Sequence, residues 1–492
     1  MEGIAQIARR DIVVGATSAI GLALAGPAAG SVPGRQARYR VTLIAVRPLR
    51  FSVEAELPMD GNRLDMASSY PAELPAMAAD GWPALIRNLV AIDDAGRRLD
   101  AIRQGSAGWT LARSANRVRL RYMVDFSIFE QAGWSSPRES ALVDREHAVV
   151  SCRALFITTT GMTGADVAVR TPDNWQAVAP WAPLGKNRQS FAVASLADLT
   201  ENMLVVTSAP PEQAASAGFT ISIAAMGHWR PLQRLVRETL REVLSLQTAM
   251  MGSRKREHYS VILLPTLETG GEAYRQSFAY SHENPSAENR AVWANTLAHE
   301  LFHYWNGSRL QGQDYSSTQW FQEGFTEYVA NLTLLVRGII GPGEFLAKLS
   351  SHIANYGRLT TSLEAIGNSK GPPLYSAGAL VAFSFDAMIR ASTQGENSIG
   401  TFFGRLWLKT GEGARKYAWA DIEAALMTIV PGDWGAYHAR YIRGQEQLPL
   451  AEAFQMAGLR MHVPPTGAPY VAPDPDASPG AKAVWEGLKS RM

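Results

Sequence analysis

Two histidines four residues apart, His299 and His303, with Glu300 directly after the first, constrain this chain more than any other feature. At that spacing both imidazoles project from one face only where the backbone is helical, so the run Thr296-Leu297-Ala298-His299-Glu300-Leu301-Phe302-His303 must be a helix if the pair acts together. Two such nitrogens can bind one metal ion, and Glu300 then stands beside the vacant coordination position. The helix is predicted inside a segment opened by a capping signal at Pro285-Ser286 and stopped at Asn306-Gly307. The alternative reading is a pair of surface histidines.

A catalytic metal needs a third protein ligand and an open position for water, which directs attention to a carboxylate on a following helix. Trp320-Phe321-Gln322-Glu323-Gly324-Phe325-Thr326-Glu327-Tyr328 supplies Glu323. A helix that begins at Ser316 or Ser317, with Gln319 as a capping-box partner, runs through Leu335 to Gly338 and carries Glu323 on an early turn. Glu327 falls four residues later on the same face, where a carboxylate can accept the N–H of a ligating histidine and fix its tautomer. Position alone also permits two surface glutamates. The ligand types favour Zn2+, one ion per chain.

With 492 residues, 46% hydrophobic and 19% charged, the chain can bury more than one core, which excludes disorder and coiled coil. Lys plus Arg against Asp plus Glu is 47 to 45, a net +2 without any run of like charge, so nucleic acid is not an expected partner. The single cysteine, Cys152, excludes an internal disulfide and a thiolate metal site and reads as a small core residue. Residues 1–30 carry Arg9-Arg10, a weakly apolar stretch from Ile12 to Ala25 and an Ala23-Leu24-Ala25 cleavage pattern, the order of a twin-arginine export signal. The alternative is an N-terminal helix with chance arginines. No later run is long enough to span a bilayer, so a periplasmic or secreted protein without stable membrane insertion is expected.

Between residues 37 and 210 the pattern alternates, as in Tyr39-Arg40-Val41-Thr42-Leu43-Ile44, and predicts a β-rich N-terminal domain. After Pro210-Pro211 the period becomes helical, with Leu232, Leu235, Val236, Leu240, Val243 and Leu244 on one stripe behind Pro231. Residues 211–340 are expected to form the catalytic domain, 341–460 an all-α C-terminal domain and 461–492, rich in Pro, Ala and Asp, a loose tail.

The motif His299-Glu300-Leu301-Phe302-His303, then Trp305-Asn306-Gly307, then the run from Trp320 to Tyr328, resembles the glycyl aminopeptidase family of gluzincin zinc metallopeptidases. Leu374-Tyr375-Ser376-Ala377-Gly378-Ala379-Leu380-Val381-Ala382 resembles that family's tyrosine-bearing helix, and Tyr441-Ile442-Arg443-Gly444 its closing segment. The resemblance implies a multi-domain fold: an N-terminal β-sandwich-like domain, a thermolysin-like α+β catalytic domain and a C-terminal helical domain closing the cleft. It implies zinc on His299, His303 and Glu323, Glu300 as general base, and Tyr375 as donor to the oxyanion of a peptide substrate. Gly270-Gly271-Glu272-Ala273-Tyr274-Arg275-Gln276-Ser277, behind the predicted strand Val261-Ile262-Leu263-Leu264-Pro265, resembles the family's substrate-edge motif. There a glutamate after the glycines typically grips the substrate ammonium, a place held here by Ala273, with Glu272 one residue early and so on the opposite strand face. Glu272 is then either a shifted amine anchor or a surface carboxylate. A PDZ-type module, common at the C-terminus of such proteins, is not expected in the residues after Leu459.

Three readings follow: an aminopeptidase releasing small N-terminal residues such as Gly or Ala, a zinc endopeptidase or oligopeptidase without an amine anchor, and a periplasmic protein that binds zinc without turnover. Glu300 and Tyr375 argue against the last, since neither is needed to hold a metal.

Overall fold

The computed structural model describes residues 35–185, 189–252, 256–368, 371–411 and 414–492; the export signal expected at residues 1–30 lies outside them. The protein is multi-domain, with a mostly-β N-terminal part and a helical C-terminal region. No helix among the described residues is long and apolar enough to cross a membrane.

Gln36–Val46 sets the pattern of the N-terminal part: Ala37, Tyr39, Val41 and Leu43 point inward while Arg38 and Arg40 point out, the period of a half-buried strand. It pairs antiparallel with Leu49–Pro58, matching Tyr39 to Ala55 and Val41 to Val53, inside an eight-stranded sheet. A four-stranded sheet of Gln176–Val178, Met203–Thr207, His147–Ser151 and Ala141–Val143 stands beside it. Its residues Ala148, Val150, Leu204 and Val206 join the core of the large sheet, as does the buried Cys152. Its opposite face is equally apolar. Val149, Met203 and Val205 there meet Ala224, Ile262, Leu264 and Ala279 of the next sheet, so the N-terminal part is joined to the rest through a hydrophobic seam.

That next sheet has five strands in the order Glu212–Ser216, Phe219–Ala225, Glu257–Leu264, Ser277–Ser281 and Gly270–Ala273. Phe219–Ala225, Glu257–Leu264 and Ser277–Ser281 run parallel, and Gly270–Ala273 is an antiparallel edge strand. Burial on both faces explains the unbroken apolar run Val261 to Leu264. The helices Gln233–Met251 and Arg290–Phe302 cover the face away from the seam. Val236, Leu240, Val243 and Leu244 form the buried stripe of the first, while Pro231 lies in a preceding 3-10 turn, Gly227–Leu232, instead of its first turn.

Three helices follow: Gln319–Val336, which bears Glu323; Pro342–Tyr356; and Pro372–Ser392, which bears Tyr375. One hydrophobic core runs from Ala214 in the sheet region to Leu488 near the C-terminus, so residue 340 marks a loop between helices that share a core. The glutamate and tyrosine helices cross at backbone contact. A Cβ on Gly324 or Gly378 would overlap the backbone of the other helix, so only glycine permits this approach.

Residues 461–492 are not a loose tail. Leu459–His462 and Tyr470–Pro473 form a hairpin, and Pro479–Ser490 is a helix capped by Ser478. The helix buries Val484, Trp485 and Leu488, and the buried Arg390 donates to the carbonyl of Arg491. Composition misled because Pro and Ala here build turns and a helix start, and three apolar residues at helical spacing suffice to dock it. Trp485→Ala should therefore lower stability by about 3 kcal/mol in chemical denaturation. A midpoint equal to that of the unmodified chain would mean that the helix is not docked.

Candidate active site

The His299 helix begins later than the capping signal suggests. Ser286 and Asn289 exchange hydrogen bonds, with Asn289 Oδ1 accepting from the Ser286 amide at 2.8 Å, and this turn delays the helix to Arg290. His303 lies at its C-terminal boundary, still helical at φ −60° and ψ −16°, and its amide donates to the His299 carbonyl at 3.2 Å. One-turn spacing is thus kept to the last residue. The glutamate helix is preceded by a 3-10 turn at Ser316–Thr318 and starts at Gln319. It continues to Val336 with Gly338 in the left-handed region beyond it, close to the expected end.

The structure brings His299, His303 and Glu323 together as a buried group. His299 Nε2 and His303 Nε2 are 3.0 Å apart, and each lies 3.4 Å from Glu323 Oε2. A tetrahedral zinc with bonds of about 2.0–2.1 Å separates its ligand atoms by about 3.3 Å, so the three atoms already occupy one face of that tetrahedron. The Nδ1 partners of both imidazoles favour the tautomer that leaves Nε2 to a metal. His303 Nδ1 donates to the Asn306 carbonyl at 2.8 Å, and His299 Nδ1 donates to Glu327 Oε2 at 3.2 Å. Burial opposes charging His299, yet Glu323, Glu327 and Glu300 outweigh it and raise its pKa to about 10. Burial likewise opposes ionisation of Glu323 and Glu327, but the facing histidines hold both carboxyls well below the usual range. Carboxylate charge crowded on two imidazoles is the electrostatic condition for holding a dication.

Glu300 is 5% exposed and does not join the ligand atoms. Burial pushes its carboxyl above the usual range, and His299, His303 and Arg138 offset part of that. Its carboxylate packs on Gly271, where a Cβ would overlap it, so glycine at 271 makes room for this side chain. Tyr375, partly buried at the start of its helix, places its ring 5.9 Å from that of His299 and its hydroxyl against Glu323. Burial and the Glu323 and Glu300 charges push its phenol well above its ordinary pKa, so it remains a proton donor.

Gly270, Gly271, Glu272 and Ala273 make up the edge strand, in register with Ser281, Tyr280, Ala279 and Phe278. Phe278 and Tyr280 face the helices and Ala279 faces the N-terminal seam, so Gly271 looks toward Glu300 while Glu272 lies on the seam face. Glu272 is not a surface carboxylate: it is 5% exposed, and its charge acts on Tyr375, Tyr274 and Arg153.

Several residues of the site escape sequence reading. Asn331 donates to Glu327 Oε1 at 2.8 Å and accepts from Asn295 Nδ2 at 3.0 Å. Asn295 and Asn331 continue the four-residue spacings of His299 and Glu327, a periodic signal that was available. Asn306 donates to the carbonyls of Phe321 and Gln322 and to Thr326 Oγ1, each at 3.1 Å, tying the loop after His303 to the glutamate helix. His352, buried on Pro342–Tyr356, approaches Glu327 at 3.9 Å, and no spacing to the motif announces it.

Fold and site together define a zinc metallopeptidase, with metal-ligating histidines on one helix and the acidic ligand on the next. Sequence comparison agrees: the chain matches the peptidase M61 N-terminal domain over residues 38–202 and the M61 glycyl aminopeptidase family over residues 292–377, together just over half of its length. It belongs to the M61 glycyl aminopeptidase family and is a peptidase. No curated protein matches it significantly in sequence. Among solved structures it is similar to an aminopeptidase N family protein from Idiomarina loihiensis, with TM-score 0.71 and 20% identity over 87% of this chain and 79% of that one. It is also similar to the M1 zinc metallopeptidase from Deinococcus radiodurans, with TM-score 0.51 and 16% identity over 85% and 95% of the two chains. Native yeast LTA4 hydrolase matches with TM-score 0.53 and 11% identity over 84% and 68%. At these identities the likeness is one of fold.

Because Glu327 orients His299, Glu327→Ala should weaken zinc binding about 10- to 100-fold in competition with a chelator while the chain stays folded by circular dichroism. Unchanged affinity would remove Glu327 from the site.

Proposed function

We propose that the protein is an aminopeptidase holding one zinc per chain and releasing small N-terminal residues, Gly or Ala, from exported peptides. The observation that carries the exopeptidase part is the buried carboxylate of Glu272 on the edge strand, whose charge is felt at Tyr375. A buried carboxylate there supplies the partner that a substrate ammonium requires. The preference for small residues rests on the family's glycyl specificity.

Zinc on His299, His303 and Glu323 would lower the pKa of water and polarise the scissile carbonyl. The residues of the chain do the rest. Glu300, buried beside Gly271, takes the proton of the attacking water and returns it to the departing amine. Tyr375 donates its hydroxyl to the developing oxyanion. Gly270 and Gly271 offer edge-strand backbone to the peptide.

This reading keeps the finer architecture expected from the resemblance, a β-sandwich-like unit at 37–210, a thermolysin-like unit at 211–340 and helices at 341–460 closing the cleft. It also keeps export to the periplasm or beyond through residues 1–30. In support, the site draws Glu300 and Glu323 from the second segment and Tyr375 from the third.

Metal-replete protein should cleave free Gly- and Ala-initiated peptides and spare their N-acetylated twins, and chelation should abolish the activity. Equal cleavage of blocked peptides would make the protein an endopeptidase, with Ala273 leaving the amine site open. Glu300→Gln should retain zinc, measured by atomic absorption, while lowering kcat at least about a hundredfold. Unchanged kcat would exclude Glu300 as the base.

A further inference from the structure

The N-terminal part sends one arginine to Ser277–Ser281, the strand beside the catalytic edge strand. Arg138, whose side chain is 11% exposed, donates from Nη1 to Ser281 Oγ at 2.6 Å, and its carbonyl accepts the Tyr274 hydroxyl at 2.7 Å. Its other terminal nitrogen lies 3.8 Å from Glu268, a carboxylate 76% exposed and so a weak, solvated partner. The charge of the guanidinium is also felt at Glu300.

Position along the strand gives this arginine its meaning. Ser281 is opposite Gly270, and Glu272 lies two residues further on, opposite Ala279 on the same sheet face. A cation therefore lies level with the Gly270 end of the edge strand and a carboxylate at Glu272, both on the seam face, while Gly271 between them in sequence turns to Glu300 on the other face. Two residues of strand span about 7 Å. A short peptide laid antiparallel to this edge has its ammonium at the Glu272 end and its carboxylate at the Arg138 end, so the charges alone orient a zwitterion.

We propose that Arg138 recognises the C-terminal carboxylate of the substrate, so that the preferred class is free-acid di- and tripeptides. This rests on the aminopeptidase reading above and adds a second anchor to it. Arginine suits the task because its planar fork can keep one donor on Ser281 and aim others at a carboxylate.

The test compares Ala-Ala-Ala with its C-terminal amide, using the zinc-replete full chain and Arg138→Gln. The unmodified protein should prefer the free acid at least about tenfold in kcat/KM, mostly through KM, and the variant should bring the ratio close to one. The ratio is internal to each protein, so a loss of folded enzyme does not change it. A ratio of one in the unmodified protein, or a preference that survives in the variant, would overturn the proposal while the aminopeptidase reading stands on cleavage of the amide. Failure to cleave either peptide would overturn both.

Discussion

Everything at the metal centre depends on the register between two antiparallel faces, those of Arg290–Phe302 and Gln319–Val336. Asn295, His299 and His303 climb one helix at four-residue spacing, and Glu323, Glu327 and Asn331 climb the other. The rungs pair His303 with Glu323, His299 with Glu327 and Asn295 with Asn331. A quarter-turn slip of either helix would break all three together. Asn306 secures that register from the loop side, and the glycine contact at Gly324 and Gly378 sets how close the tyrosine helix comes.

Charge balance follows from this geometry. Glu300, Glu323 and Glu327 share a buried space with two imidazoles, and each carboxylate would be costly there without a cationic partner. Glu323 and Glu327 find that partner in the histidines and stay ionised, while Glu300, less compensated, is the carboxyl whose pKa rises. One motif therefore yields ligand and base from the same residue type by placing them differently.

The N-terminal part does more than support the sheet. Its apolar seam covers one face of the five-stranded sheet, and the buried Arg153 pairs with Glu201 and lies over the Tyr274 ring at the root of the edge strand. The last helix has a similar role on the other side. Through Arg390 it connects to Asp386, which also accepts from Tyr328 on the glutamate helix at 2.7 Å. Segments distant in sequence thus brace the two helices that face the cleft.

Local periodicity made much of this legible. The His299 helix, the glutamate helix and the β-rich N-terminal part follow from spacings of four and two that neighbouring residues impose on one another. Helix starts were less legible because a Ser286–Asn289 turn competes locally with the helix, and residues 461–492 were misread because composition does not reveal a docking surface. The type of metal centre is legible along the chain, since ligand chemistry and helical spacing are local properties of His299, Glu300, His303 and Glu323. Packing of the whole chain settles which carboxylate is buried, that Gly271 faces Glu300 and Glu272 the seam, and that Arg138 reaches the strand beside this edge. Those outcomes depend on strand register and on contacts between residues more than a hundred positions apart, and no local pattern encodes them.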